Sequence, residues 1–317
     1  MDLRQARHLL AVAEHGNMLR AAKAIHISQP ALSKSIQNLE SELGVRLFDR
    51  GPHGVTPTIY STALLKHARL LLNQSEQAVA EIGAIKNGRL GHLRLGVANF
   101  AIHFLPSVLA RLLSSKPGLS FEIVDGTYEG LTALVREGAL DAVVSGLPPV
   151  HQVEDLVHEE LVATRFVRVC RPDYRPFQRP DVSLAQLAGA RWILTNRPQA
   201  IIDLWELSFR EARINPPKPL LLSSSMMFIK AMLLEGSFVS VLPRGIVEPE
   251  VRSGRLTAVS GEANVSEGII YRPGGVHPPA LFALIEAIRD QAGAASVVGR
   301  GAAQNRRRHT DASNREP

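Results

Sequence analysis

The sequence predicts an α+β chain in three parts: an N-terminal winged helix-turn-helix, a long linker helix, and a C-terminal two-lobed α/β domain. Three observations carry this. Two short helical patterns flank the tight turn His26-Ile27-Ser28. An uninterrupted helical pattern then runs from Ile59 to Lys86 with neither Gly nor Pro until Asn87-Gly88, except Gly83. From Gly91 onward, short apolar strands alternate with amphipathic helical segments.

Leu3 to His15 places Leu3, Leu9, Leu10, Val12 and Ala13 on a first helix, with Gly16 as its stop. Met18 to Ile25 follows, with Asn17 as N-cap and Ala21, Ala22 and Ala24 small enough to let a neighbouring helix approach. In Gln29 to Leu43 the apolar residues Leu32, Ile36, Leu39 and Leu43 recur at helical spacing and occupy a sector about 60° wide. Ser28 caps this helix, and Pro30 is acceptable only in its first turn, where a missing N–H goes unused. Pro30, Lys34, Gln37, Asn38 and Ser41 point away from the apolar stripe. Alone, the segment reads as an ordinary amphipathic surface helix. Paired with the preceding helix through a tight turn, it reads as a recognition helix for a DNA major groove. Val45 to Phe48 and Gly54 to Pro57 predict two extended pieces around the loop Asp49 to His53, a wing that brings Arg50 and His53 near phosphates.

In Ile59 to Lys86 the residues Leu64, Ala68, Leu71, Ser75, Ala78, Ile82 and Ile85 repeat at alternating spacings of four and three, with Leu65, Leu72 and Val79 beside them. Such a helix is about 42 Å long at about 1.5 Å per residue. Its seam pairs with a second copy of the chain or folds onto its own C-terminal domain.

Beyond it, strands are predicted at Leu93 to Val97, Ser120 to Asp125 and Ala142 to Ser145, with helices at Ile102 to Ser115 and Glu129 to Glu137. A second series has strands at Phe166 to Cys170, Trp192 to Leu194, Leu220 to Ser223 and Phe238 to Leu242, and helices at Ile201 to Ala212 and Met226 to Leu234. Gly268 to Tyr271 and Pro278 to Gln291 close the chain as strand and helix. This alternation predicts parallel α/β sheets in two lobes, joined near Pro148 to Leu161 with a return around Ser260 to Glu267. The tail from Gly293 to Pro317 holds Arg306-Arg307-Arg308 without apolar periodicity and reads as disordered and solvated, or in nonspecific contact with DNA. The expected domains are thus 1–58, 59–90, 91–292 and the basic tail 293–317.

With 317 residues and 45% hydrophobic composition the chain can bury more than one core. No apolar run spans a bilayer, and Asp2 and Arg4 do not fit a signal peptide, so a cytoplasmic protein is expected. The single cysteine, Cys170, excludes an internal disulfide or a Cys-rich metal site, and its apolar neighbours predict a buried strand thiol. Net charge is +6, concentrated at the ends. Residues 1–90 carry 11 Lys/Arg against 7 Asp/Glu, residues 91–292 carry 20 against 21, and the tail 5 against 2. A basic N-terminal part joined to a near-neutral middle suits a module that meets phosphate linked to one that does not.

The run from Arg4 to Pro57, centred on RAAKAIHISQPALSKSIQNLESELGVRLFDR, closely resembles the N-terminal domain of LysR-type transcriptional regulators. The resemblance continues more weakly to about Gln291. It departs at Asn17-Met18-Leu19, where the family has Ser-aromatic-Thr, and at Ile59-Tyr60-Ser61, where it has Glu-Ala-Gly. The first departure bears on base preference and the second on the exit into the linker helix. The resemblance implies a linker helix that pairs with its copy and a type 2 periplasmic-binding-protein-like effector domain. It also implies a homo-oligomer, a tetramer built from dimers, bound to double-stranded DNA at an interrupted palindrome. The DNA-facing set expected is Asn17, Ser28, Gln29, Pro30, Ser33, Lys34 and Gln37, with Arg50 and His53 of the wing.

No H-E-x-x-H, G-x-S-x-G, Walker loop or G-x-G-x-x-G occurs, and the histidines lack metal-ligand spacing, so neither an enzyme, a metal site nor a cofactor is expected. Ligands of open α/β lobes sit at the carboxyl ends of strands, where loops and helix N-termini present free N–H groups. The candidate effector residues are therefore Asn99, Phe100, Thr127, Ser145 and Gly146 from one lobe, and Thr195, Asn196, Ser224 and Ser225 from the other. Each is alternatively a helix cap. The position of Asn99 is often Ser or Thr in the family. The alternative to a DNA-binding regulator is a solute-binding or sensing protein with no DNA role, which residues 91–292 alone would permit.

Overall fold

The computed structural model describes residues 1–51, 54–86, 91–98, 101–147, 155–174, 182–196, 199–259, 264–274 and 277–292. His53, Asn99, Phe100 and the tail 293–317 lie outside the described residues.

Helix α1 (Leu3–His15) starts in a capping box between Asp2 and Gln5 and stops at Gly16, whose φ is 58°. Helix α2 (Met18–Ala24) is followed by a turn through His26, which takes a left-handed φ of 58°. Helix α3 (Gln29–Leu43) carries Pro30 in its first turn and ends at Gly44, φ 69°. Their shared core comprises Leu9, Val12, Ala21, Leu32, Ile36 and Leu39, each essentially inaccessible to water. Each buried Leu or Ile contributes about 1.5–3 kcal/mol. Strands β1 (Phe48–Gly51) and β2 (Gly54–Pro57) pair antiparallel with Arg50 opposite Val55.

The first wing strand begins at Phe48 and not at Val45. The carboxylate of Glu40 on α3 accepts from the Leu47 and Phe48 amides at 2.8 and 3.3 Å, so the chain there is tied to a helix side chain. The Val55 amide donates to Gly16 O at 2.8 Å and pins the wing to the end of α1. Gly54 has φ 129°, and a Cβ there would collide with Gly16 O.

Helix α4 (Ile59–Lys86) has the predicted bounds but two opposite faces. Leu65 and Ala68 are buried in the core of the N-terminal domain, with Leu64 and Leu72 packed beside them. Further along, Arg69, Asn73 and Gln77 form a polar stripe against the C-terminal domain. Arg69 Nη1 meets Glu137 Oε1 at 3.3 Å, Asn73 Nδ2 donates to Glu137 O at 2.7 Å, and Gln77 Nε2 donates to Asp141 Oδ1 at 3.1 Å. Roughly opposite on the helix, Leu71, Val79 and Ile82 are exposed. The seam is therefore divided: its start belongs to the chain's own core, while Leu71 and Ile82, with Val79 beside them, remain uncovered.

Lobe 1 contains β3 (Gly91–Ala98), a 3-10 turn at Ala101–His103, α5 (Leu105–Ser115), β4 (Leu119–Gly126), α6 (Tyr128–Arg136), β5 (Ala142–Gly146) and the first half of β6 (Val157–Cys170). Lobe 2 contains the second half of β6, α7 (Leu184–Leu187), β7 (Ile193–Thr195), α8 (Gln199–Glu211), β8 (Leu221–Ser223), α9 (Met226–Glu235), β9 (Val239–Pro243), α10 (Arg244–Arg252) and β10 (Thr257–Val259). Strand β11 (Asn264–Tyr271) returns to lobe 1, followed by α11 over 279–292.

The sheets are mixed and not parallel throughout as expected. Strands β3, β4 and β5 are parallel, as are β7 and β8, while β11 runs antiparallel to β5 and β6, and β6 antiparallel to β9 and β10. Strand β6 takes up Val157 to Leu161, which the sequence reading assigned to an inter-lobe connection. Together β6 and β11 form a two-stranded bridge between lobes. At the bridge Gly268 is required, because a Cβ would meet Glu159 O of the facing strand. Helix α10 contains Pro249 in its interior and follows Pro243, which hid it from a reading that treats Pro as a stop.

Two clusters cover the faces of the lobe 1 sheet, one including Leu93, Val108, Leu281 and Ile288, the other Leu131, Val135 and Val143. Lobe 2 is centred on Trp192, Trp205 and Phe209 in mutual edge-to-face contact at 5.2–5.7 Å. Trp192 Nε1 donates to Leu187 O at 2.9 Å. Cys170 is fully buried in this core, and burial pushes its thiol well above its ordinary value.

Candidate functional site

The first site is the outer face of α3. On a helix, Pro30, Ser33, Lys34 and Gln37 fall within a sector about 100° wide, opposite Leu32, Ile36 and Leu39. Lys34, Gln37, Gln29 and Pro30 are exposed and Ser33 is half-buried. The two acidic groups of this helix are engaged elsewhere. Glu40 holds the wing amides, and Glu42 accepts from the N-terminal ammonium at 3.0 Å. Neither opposes a phosphate across the polar face. The helix is fixed from behind by a hydrogen bond between His8 Nδ1 and Ser35 Oγ at 2.7 Å. Desolvation, with Arg4 nearby, holds the His8 imidazole below its ordinary pKa.

Two of the expected DNA contacts have structural duties. Asn17 Oδ1 accepts from the Leu19 and Arg20 amides at 2.9 and 3.1 Å, and Ser28 Oγ accepts from Ala31 N at 3.4 Å. Both are N-caps, and both lie at helix starts. Arg50 is exposed on β1.

The second site is the cleft end of the lobes, and the structure places the predicted residues unevenly. Thr127 caps α6, its hydroxyl accepting from Gly130 N at 3.3 Å, and it remains exposed. Ser225 caps α9, accepting from Phe228 N at 3.2 Å, next to exposed Ser224. An N-cap hydroxyl still has its O–H to donate. Gly146 ends β5, and Ser145 beside it is buried with its hydroxyl donating to Gly146 O at 3.1 Å. Thr195 is wholly buried in β7, so its side chain is part of the lobe 2 core surface and not an open lining. The Asn196 amide donates to Ser223 O at 3.0 Å, while its side-chain Oδ1 is buried without a hydrogen-bond partner among the described residues.

Sequence reasoning missed three polar groups. Asp141, nearly fully buried, accepts from Arg94 N and Arg94 Nη2, both at 2.8 Å. Gln77 of the linker helix joins this pair. Thr164 Oγ1 lies 3.3 Å from His103 Nε2 where β6 crosses between lobes. Glu267 is completely buried in β11, and burial raises its carboxyl from an ordinary 4.5 to about 7. The signal for Glu267 was present: a lone acid in the otherwise uncharged strand run Asn264 to Tyr271.

A polar recognition helix with a wing, carried on a long helix that docks onto a two-lobed α/β domain, defines a ligand-responsive DNA-binding protein. Residues 3–60 match the family profile described as "Bacterial regulatory helix-turn-helix protein, lysR family", and residues 86–293 match "LysR substrate binding domain". The chain belongs to the LysR family of transcriptional regulators: it binds DNA, has an effector-binding domain, and is of a kind that oligomerises. The N-terminal match removes the alternative of a solute-binding protein without a DNA role.

Among its relatives, an SDS degradation transcriptional activation protein of Pseudomonas sp. (strain ATCC 19151) is 31% identical over 304 residues, covering 92% of this chain and 96% of the relative. The regulator GbpR of Azospirillum brasilense is 30% identical over 262 residues, covering 82% of this chain and 76% of GbpR. Among solved structures, CbnR complexed with its target DNA superposes with a TM-score of 0.66 at 24% identity, covering 92% of this chain and 99% of CbnR, a likeness of fold. A full-length OxyR variant from Pseudomonas aeruginosa gives 0.65 at 25% identity over 91% of this chain and 95% of OxyR.

Proposed function

We propose that the protein reads an interrupted palindrome as a homo-oligomer, a tetramer built from dimers, and changes its DNA contacts when a small effector enters the cleft. The exposed polar face of α3, backed by the buried Leu32, Ile36 and Leu39, is the observation that carries this reading. Pro30, Ser33, Lys34 and Gln37, with Gln29, face the groove; Asn17 and Ser28 set the helix starts close to the DNA, and Arg50 and His53 reach phosphates. Two chains pair through the uncovered face of α4 at Leu71, Val79 and Ile82, which places two recognition helices in successive major grooves.

The effector lies between the lobes, against Thr127, Ser145, Gly146, Asn196, Ser224 and Ser225, with Asn99 and Phe100 completing the set and the buried Thr195 supporting it from within β7. The domain limits that follow are 1–58, 59–90 and 91–292, with 293–317 as a basic tail. The protein works in the cytoplasm and by binding, not catalysis; none of the described helices is long and apolar enough to cross a membrane. The test is to select genomic fragments on the full-length protein and footprint them with and without a metabolite panel. Two protected half-sites about one helical turn apart, altered by a metabolite, are expected. A single half-site, or a footprint indifferent to every metabolite that binds, contradicts the reading.

A further inference from the structure

His8 Nδ1 on α1 lies 2.7 Å from Ser35 Oγ on α3, and the imidazole is buried. Among the described residues this is the only hydrogen bond from residues 29–39 to another helix or strand. The other directional ties of α3 come from its carboxyl-terminal end, where Glu40 holds the Leu47 and Phe48 amides and Glu42 holds the N-terminal ammonium. Pro30, Ser33, Lys34 and Gln37 all precede them.

Leu32, Ile36 and Leu39 are buried in the shared core, but apolar burial is non-directional and fixes the depth of a helix more firmly than its roll. Ser35 is placed to fix the roll. At about 100° per residue it lies about 40° from Leu39, at the edge of the buried stripe, and about 100° from Lys34. Burial, with Arg4 nearby, holds the His8 ring below its ordinary pKa, so the contact joins two neutral groups and contributes direction instead of charge.

A roll of about 20° at about 6 Å from the helix axis carries a side-chain tip about 2 Å. A hydrogen bond to a base edge has a length window of about 0.5 Å and is lost by such a shift. A phosphate meets Lys34 as a point charge and tolerates it. Roll therefore governs discrimination between sequences far more than total affinity.

We propose that His8 and Ser35 are positioning residues that set the roll of α3, and through it the base discrimination of Ser33 and Gln37, without touching DNA themselves. This rests on the reading of α3 as the helix that faces the groove.

The experiment measures the full-length protein by fluorescence anisotropy on the footprinted operator, on copies substituted at single base steps of one half-site, and on an unrelated duplex, over a range of salt. Wild type, Ser35→Ala, Ser35→Thr, His8→Phe and the double variant of Ser35→Ala with His8→Phe are compared, with thermal unfolding recorded for each. Ser35→Ala removes one hydroxyl and raises helix propensity, so it keeps the proposal testable even where His8→Phe overpacks the core. The expected preference for the operator over its substituted copies is lowered about fivefold in Ser35→Ala and in His8→Phe, the size of one neutral hydrogen bond. The double variant should be no worse than either single variant. Affinity for the unrelated duplex and the salt slope should stay at wild type, and Ser35→Thr, which keeps the hydroxyl, should keep the wild-type preference. A purely structural role would instead lower the affinities for operator and unrelated duplex together. That outcome, an unchanged preference in Ser35→Ala, an equal loss in Ser35→Thr, or losses that add in the double variant overturns the proposal. Where Ser35→Ala keeps the wild-type preference but Gln37→Ala loses it, the reading face stands and only its support is misassigned. If Gln37→Ala and Lys34→Ala also bind as wild type, the reading of α3 falls as well.

Discussion

Gln77 of the linker helix donates to Asp141 Oδ1 at 3.1 Å, joining the element that carries the DNA-binding domain to a carboxylate buried in lobe 1. Arg94 closes the group, bonding Asp141 through its backbone and guanidinium and reaching Gly138 O at 2.9 Å. Removing Gln77 deletes two neutral-to-charged hydrogen bonds at the edge of the group, to Asp141 and from Arg94, whereas removing Asp141 strands a largely buried guanidinium. Gln77→Ala is expected to cost about 1–2 kcal/mol and Asp141→Ala about 3–5 kcal/mol, measured by urea unfolding. Equal effects would mean that the pair is not the anchor.

The seam prediction follows from the division of α4. Leu71→Glu with Ile82→Glu puts like charges on the uncovered face, away from the residues that pack on α1. Sedimentation should show loss of the oligomer, with circular dichroism and thermal stability of the chain little altered. A double variant that sediments as wild type would place the interface elsewhere.

Glu267 makes stability depend on pH in an unusual direction. Its folded pKa, about 7, is raised above the ordinary 4.5, so its contribution is fully present below about pH 4.5 and is lost as pH rises through 7. The difference corresponds to about 3 kcal/mol. Glu267→Gln lacks this titration, so between pH 4.5 and pH 8 the variant should gain about 3 kcal/mol relative to wild type. Parallel urea-derived stability curves for the two proteins across that range would refute the assignment.

Much of the fold was legible because local chemistry and packing agree there. Gly16 and Gly44 ended helices, and Asn17 and Ser28 began them. The linker helix had its predicted limits because Ile59 to Lys86 holds no Pro and only one Gly, Gly83, to compete with helix. The bridging strands were not legible: Val157 to Leu161 pairs with a segment more than a hundred residues away, a relationship that no local period reveals. Pro249 concealed α10. In the cleft, residue type located the strand ends but not exposure, so Thr195 proved buried where Ser225 stayed open. Glu267 carries no loop or cap signal, because the acid lies within strand β11.

Recognition by α3 separates into two effects. Lys34 offers a point charge suited to phosphate or a guanine edge, and Gln37 an amide suited to a bidentate adenine contact. Gln37→Ala should erode discrimination at one base step by about 1–3 kcal/mol, read by competition between operator variants.

The most direct test of the whole account is the salt dependence of operator binding by full-length wild type and Lys34→Ala, measured by fluorescence anisotropy on a footprinted site. Lys34→Ala is expected to bind more weakly, with a salt slope shallower by about 1 per chain engaged, while its effector affinity is unchanged. Wild-type affinity and slope in Lys34→Ala, together with wild-type discrimination in Gln37→Ala, would show that the exposed face of α3 is not the surface that reads DNA.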